Sequence, residues 1–143
     1  MDSNCPFCAV DKEKNRILLE THSVIVILSN PRLMPGHTLV IPRRHVAAWT
    51  DLAAFAREEL LETAIRFQGK LKRLHPGGGC DLSQHDRPFM PTTKLTIPRH
   101  MHIHLRPRTW CDEFYEKVSK HETDVFQDLT QEEKEKFQKL LAE

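Results

Sequence analysis

His100-Met101-His102-Ile103-His104-Leu105, closed by Arg106-Pro107-Arg108, is the stretch around which the rest of the sequence arranges itself. Histidines at every second position, with apolar residues between them, have the period of a strand that shows imidazoles to one face and core to the other. Alternate side chains on a strand face stand about 7 Å apart, near enough to share a site. A neutral imidazole ligates a metal, moves a proton or attacks an electrophile. The strand alone leaves a metal centre and a catalytic histidine equally open, since HxH spacing is common among metal ligands.

The chain of 143 residues has the length of one domain, 1–143, and is large enough to bury a core without disulfides. Lys and Arg number 21 against 20 Asp and Glu, which argues for neither nucleic acid nor a membrane surface as partner. The distribution says more: residues 1–111 hold 16 basic and 10 acidic side chains, whereas 112–143 hold 5 and 10. The part with the histidines therefore suits an anionic ligand. No apolar run is long enough for a membrane span and the N-terminus does not read as a charged-then-apolar leader, so a soluble, cytoplasmic protein is expected. In that compartment four cysteines favour metal or free thiols over a disulfide framework.

Cys5-Pro6-Phe7-Cys8 has the two-residue spacing that aims both sulfurs at one tetrahedral ion. Redox pairs share this spacing but sit at a strand-to-helix junction, whereas this pair lies at the terminus ahead of a charged stretch; zinc is favoured. Its other two ligands must come from elsewhere. Ile17 to Leu19 and Val24 to Leu28 read as a hairpin, and Thr38 to Ile41 as a strand ended by Pro42 after the loop Pro31 to His37. Asp51 to Leu74 reads as a long helix capped by Thr50 or Asp51. Its buried stripe is Leu52, Phe55, Ala56, Leu60, Ala64, Phe67, Leu71 and Leu74. His75 to Gly79 is a turn without the Lys of a phosphate loop, and Cys80 to Gln84 a strand. Thr130 to Glu133 is a capping box for a last helix to about Leu141. His22, His75, His85 and His121 read as surface or turn residues, and Cys80 and Cys111 as buried or free thiols.

Taken in order, Asn30, Pro31, Gly36, His37, Leu39 to Pro42, His45, His100, His102 and His104 resemble the two motifs of the histidine triad (HIT) proteins. The resemblance spans roughly residues 5–108, leaving 109–143 as a C-terminal extension, and Arg87-Pro88-Phe89 looks like bacterial-type members of the diadenosine polyphosphate hydrolase kind. It implies an α+β HIT-like fold, an antiparallel sheet of about five strands with one long helix and a C-terminal helix. It also implies a nucleotide hydrolase or nucleotidyl transferase acting at the α-phosphate through a covalent nucleotide on His102. A neutral nucleophile avoids the repulsion that an anionic one meets at a phosphoric anhydride.

By the same resemblance His104 and His37 contact phosphate and donate the proton to the leaving group, Asn30 holds the ribose and Gln84 contacts phosphate. Many members carry G-Q-S/T-V-x before the triad where this chain reads Leu95 to Arg99, so Thr96 is expected to supply the hydroxyl and Arg99 added charge. Members that open with CxxC complete a structural zinc site with histidines at the places of His45 and His100. A homodimer and a purine nucleotide or dinucleoside polyphosphate substrate are expected, with nucleoside phosphoramidates as the alternative substrate. Two other readings stand beside this one: a hydrolase with zinc on His100, His102 and His104, and a non-catalytic, zinc-stabilised nucleotide-binding protein.

Overall fold

Two runs rich in β-branched residues, Val24 to Leu28 and Thr38 to Pro42, apolar but for Thr38, form strands buried on both faces. The computed structural model describes residues 5–11, 13, 16–86, 99–118 and 127–141. β1 (Ile17–Glu20) turns into β2 (Val24–Leu28) through Thr21, whose hydroxyl accepts from the Val24 and Ser23 amides. β3 (Thr38–Pro42), β4 (Gly79–Gln84) and β5 (Ile103–Arg108) complete a five-stranded antiparallel sheet in the order β1-β2-β3-β5-β4. With α1 (Ala54–Leu74) packed on β3, β4 and β5, the fold is the expected α+β one. No helix among the described residues is long and apolar enough to cross a membrane.

The sheet has two different faces. One buries Val24, Val26, Val40, Ile103 and Leu105 under Leu60, Ala64, Phe67 and Leu71 of α1. The opposite face buries Ile25, Ile27, Leu39 and Ile41, with Phe7 and Val10 of the N-terminal segment laid against them. Directly paired residues share a face, so Leu39 in register with His104 puts that histidine on the side away from the helix.

Several sequence expectations are corrected. α1 starts at Ala54, after a 3₁₀ turn at Trp49–Asp51, and its N-cap Ala53 offers no side-chain bond. Asp51 accepts instead from the Ala48 amide, closing its own turn, so neither Thr50 nor Asp51 caps the helix. Phe55 and Leu74, in the first and last turns, are 69% and 71% exposed, while Thr63 joins the buried stripe. β5 begins only at Ile103, because the Met101 amide donates to the Val46 carbonyl and the ladder with β3 starts at Val40 and Ile103.

The chain divides into two units, Met1–Asp112 and Glu113–Glu143. The second holds α2 (Glu113–Val118) and α3 (Gln131–Leu141). Thr130 and Glu133 form the capping box of α3 as read from the sequence: the Thr130 amide donates to the Glu133 carboxylate at 2.9 Å and the Glu133 amide to the Thr130 hydroxyl at 3.2 Å. The expectations for Thr96, Arg87 to Phe89 and His121 fall outside the described residues.

Candidate active site

The loop before β3 delivers the first histidine. Gly36 takes φ +77, open to glycine at little cost, and a Cβ there would come 3.1 Å from the Pro107 side chain. The chain can therefore turn tightly against β5 and bury His37 beside His104. The Leu33 amide donates to His37 Nδ1 at 3.2 Å, which leaves the proton on Nε2. That Nε2–H donates to Nδ1 of His104 at 2.9 Å, so His104 in turn carries its proton on Nε2. A backbone amide thus fixes, through two rings, a proton donor on the open side of the sheet.

His102 is set the other way round. Its Nδ1–H donates to the His100 carbonyl at 2.8 Å, leaving the Nε2 lone pair for an electrophile or a metal. The rings of His102 and His104 lie 4.6 Å apart, and Phe7 stands edge-on to His102 at 4.8 Å. A nucleophilic nitrogen and an N–H donor therefore share one small surface.

Burial keeps these rings neutral. His104 is lowered to about 3 and His37 to about 4, first by desolvation and then by positive neighbours, Arg106 among them in both cases. His102 is lowered too, by burial, partly offset by its bond to the His100 carbonyl.

The remaining expected residues divide. Asn30 lines a cavity of about 310 Å³ with Ser29, Leu28, Arg16 and Arg32, and His37 forms part of its wall. Gln84 pairs in register with Ile103 and so shares the helix-side face; it is not brought to the histidines. Arg99 is exposed, and among the described residues nothing joins it to the cluster. His85 is the residue the sequence reading missed: it is no mere turn residue but stacks on His104 at 4.6 Å and 29°. His104 thus lies between His37, nearly parallel at 5.2 Å, and His85. Ser83 pairs with His104 and His85 lies two residues on, so the strand period turns His85 to the histidine face once that register is set.

Cys5, Cys8, His45 and His100 converge, with one donor atom of each lying within 4.8 Å of the others. The Cys8 and Ala9 amides donate to the Cys5 carbonyl, forming the knuckle, and the Met101 to Val46 bond brings His45 beside His100. His100 is nearly inaccessible and donates Nε2–H to the Pro42 carbonyl at 2.8 Å. Its Nδ1 lone pair therefore faces Cys5 Sγ at 3.4 Å and Cys8 Sγ at 3.7 Å. A histidine oriented by a carbonyl behind it, facing two thiols, suits a tetrahedral thiophilic ion.

A family model described as the HIT domain matches residues 11–111. The chain is 37% identical over 108 residues to the bifunctional bis(5'-adenosyl)-triphosphatase/adenylylsulfatase FHIT of Arabidopsis thaliana, a match covering 76% of this chain and 54% of that one. It is 30% identical over 107 residues to the nitrilase and fragile histidine triad fusion protein NitFhit of Caenorhabditis elegans, covering 72% of this chain and 23% of that one. The chain therefore spans about half, or less, of the length of these relatives. Among solved structures, a HIT family protein from Bacillus anthracis superposes with a TM-score of 0.69 at 22% identity, covering 98% of this chain and 96% of its own, a likeness of fold. A Zn-bound histidine triad family protein from Mycobacterium smegmatis superposes with 0.62 at 25% identity, over 78% of this chain and 79% of its own. With the triad leading into β5, the loop histidine beside His104 and a matching family model over most of its length, the chain belongs to the HIT family.

Proposed function

We propose that this protein is a nucleotide hydrolase that cleaves phosphoric anhydrides at the α-phosphate through a covalent nucleotidyl-His102, with dinucleoside polyphosphates as substrate. The observation that carries the reading is the Nδ1–H of His102 bonded to the His100 carbonyl, which leaves Nε2 as nucleophile. Nε2 attacks the α-phosphorus, the bond to the bridging oxygen breaks with its electron pair on the departing phosphate, and the Nε2–H of His104 donates a hydrogen bond to that oxygen. His37 stabilises the change by its bond to His104 Nδ1. Water then attacks phosphorus, the P–N bond breaks with its electron pair on His102 Nε2, and the nucleotide leaves with one water proton released to solvent. Asn30, at the cavity beside His37, holds the ribose. The triphosphatase named in the Arabidopsis relative supports this substrate class.

Cys5, Cys8, His45 and His100 would hold structural zinc. Four protein donors leave no open position, so the ion ties the N-terminal segment to His100 and activates no water. A reducing cytoplasm would keep the thiols, none of them in a disulfide here, available as ligands. A homodimer would cover β4, the edge strand among the described residues, and the exposed Leu61 and Ile65 on α1. These lie on the helix line leading to Gln68, whose amide donates to the Cys80 carbonyl of β4.

The test is product release from diadenosine triphosphate by the wild type and by His102→Ala, each with and without prior chelation. Loss by about four orders of magnitude in the variant, with labelled nucleotide trapped on wild-type protein by acid-free quench, supports the reading. Immediate loss on chelation would move the metal to the triad and overturn it. Nucleotide affinity without turnover would make the protein a binding module.

A further inference from the structure

β5 shows more than histidine on its open face. His104, Arg106 and Arg108 follow at alternate positions, with a step of about 7 Å between neighbours on the face. Arg108 is spoken for: its Nε donates to Asp112 at 2.5 Å, and its Nη1 lies 3.7 Å from Asp81. Arg106 is not. Its Nε is buried with no hydrogen-bond partner among the described residues, and its one ion pair is the long 4.0 Å approach of Nη2 to Asp81. Asp81 is half exposed and shared with Arg108. A buried N–H donor left unmade costs free energy, so its retention beside the reactive ring calls for an acceptor that arrives with a ligand.

The distance to the reaction is short. Arg106 is the next residue on the histidine face after His104, and its charge depresses the protonation of both His104 and His37. A carboxylate or phosphate met by a guanidinium gains charge-assisted, often bidentate bonds that a lone ammonium does not match.

We infer that Arg106 is a subsite for the phosphates of the leaving group, so that the site selects substrates whose leaving group is a nucleoside di- or triphosphate over those that release an amine. The inference rests on the hydrolase reading above and adds its discrimination. During displacement the electron pair of the broken P–O bond stays on the departing phosphate, whose bridging oxygen accepts a hydrogen bond from the His104 Nε2–H. Arg106 transfers nothing; it holds the remaining phosphate oxygens.

The test compares Arg106→Leu and Arg106→Lys with the wild type on diadenosine triphosphate, which releases ADP, and on adenosine phosphoramidate, which releases ammonia. The expected result is a fall in kcat/KM of about 30-fold for the first substrate in Arg106→Leu, a smaller fall in Arg106→Lys, and a change within about twofold for the second. Equal falls on both substrates, or none, overturn the inference. The Leu variant should melt no lower than the wild type, since it removes an unpaired polar atom; if it fails to fold, the Lys variant alone decides by the same split between substrates. Should the wild type turn over neither substrate, the hydrolase reading fails by itself, and Arg106 is judged by binding. A preference of the wild type for ADP over AMP that collapses in the variants supports the subsite, and an unchanged ratio overturns it.

Discussion

His104 carries its proton on Nε2 because a main-chain amide two rings away donates to His37. Replacing His37 by Phe keeps bulk and removes the relay; kcat on a dinucleoside polyphosphate should fall by about 10²–10³-fold with KM little changed, as steady-state kinetics would show. The same rings set an acid limit. Their folded values of about 4 and about 3 lie below the unfolded 6.5, so between these pH values the unfolded chain binds more protons. Stability from these rings is therefore complete above about pH 6.5 and is lost as pH falls toward 4 and then 3. Urea midpoints should be flat from pH 7 to 9 and drop below 6.5, and His104→Asn should flatten the drop; an unchanged slope would contradict the burial argument. At this scale the sequence told much. Histidines at fixed spacing are rare enough to stand out, and His37, His102 and His104 meet as their motifs suggest. Gln84 and His85 could not be told apart that way, because which of two neighbours faces the triad depends on a cross-strand register that only folding sets.

Strand β5 has neighbours on both sides, β3 and β4, and core beneath it, so it is the element least able to shift. Leu105 is fully buried, and Leu105→Ala should cost about 2–5 kcal/mol in chemical denaturation. The turn into β4 is equally constrained at one point. A Cβ on Gly78 would meet the Arg108 carbonyl oxygen at 2.5 Å, backbone that cannot rotate away, so Gly78→Ala should destabilise by about 1–3 kcal/mol by the same assay. Gly77→Ala meets no atom but must adopt φ +80, and separates strain from collision. Element identities were readable from apolar runs and from the Thr130 cap, whereas the start of α1 was not. Thr50 and Asp51 look like caps, yet Asp51 spends its carboxylate on the Ala48 amide within the preceding turn. Periodicity likewise put Phe55 inside, but it cannot say where the sheet beneath a helix ends.

Over the whole molecule, residues far apart in sequence were brought together much as composition suggested. A pair of cysteines without a second pair had to find partners elsewhere, and His45 and His100 are there. Chelation of the purified protein should lower its melting temperature and erode activity slowly, in step with unfolding, as parallel thermal scans and assays would report. The proposed dimer is checked by sedimentation: Ile65→Glu on the exposed helix line should give a monomer. The contact between Cys5 and His100 joins positions 95 residues apart. A metal there makes the first unit a ring closed by coordinate bonds, so that the folded fraction becomes a function of an ion's chemical potential. Each tenfold of free zinc above the dissociation constant then adds about 1.4 kcal/mol to the ring. A cell that runs short of the ion would dismantle the support of His100 and His102 without touching the polypeptide, and trimming only the first eight residues would do the same at any supply.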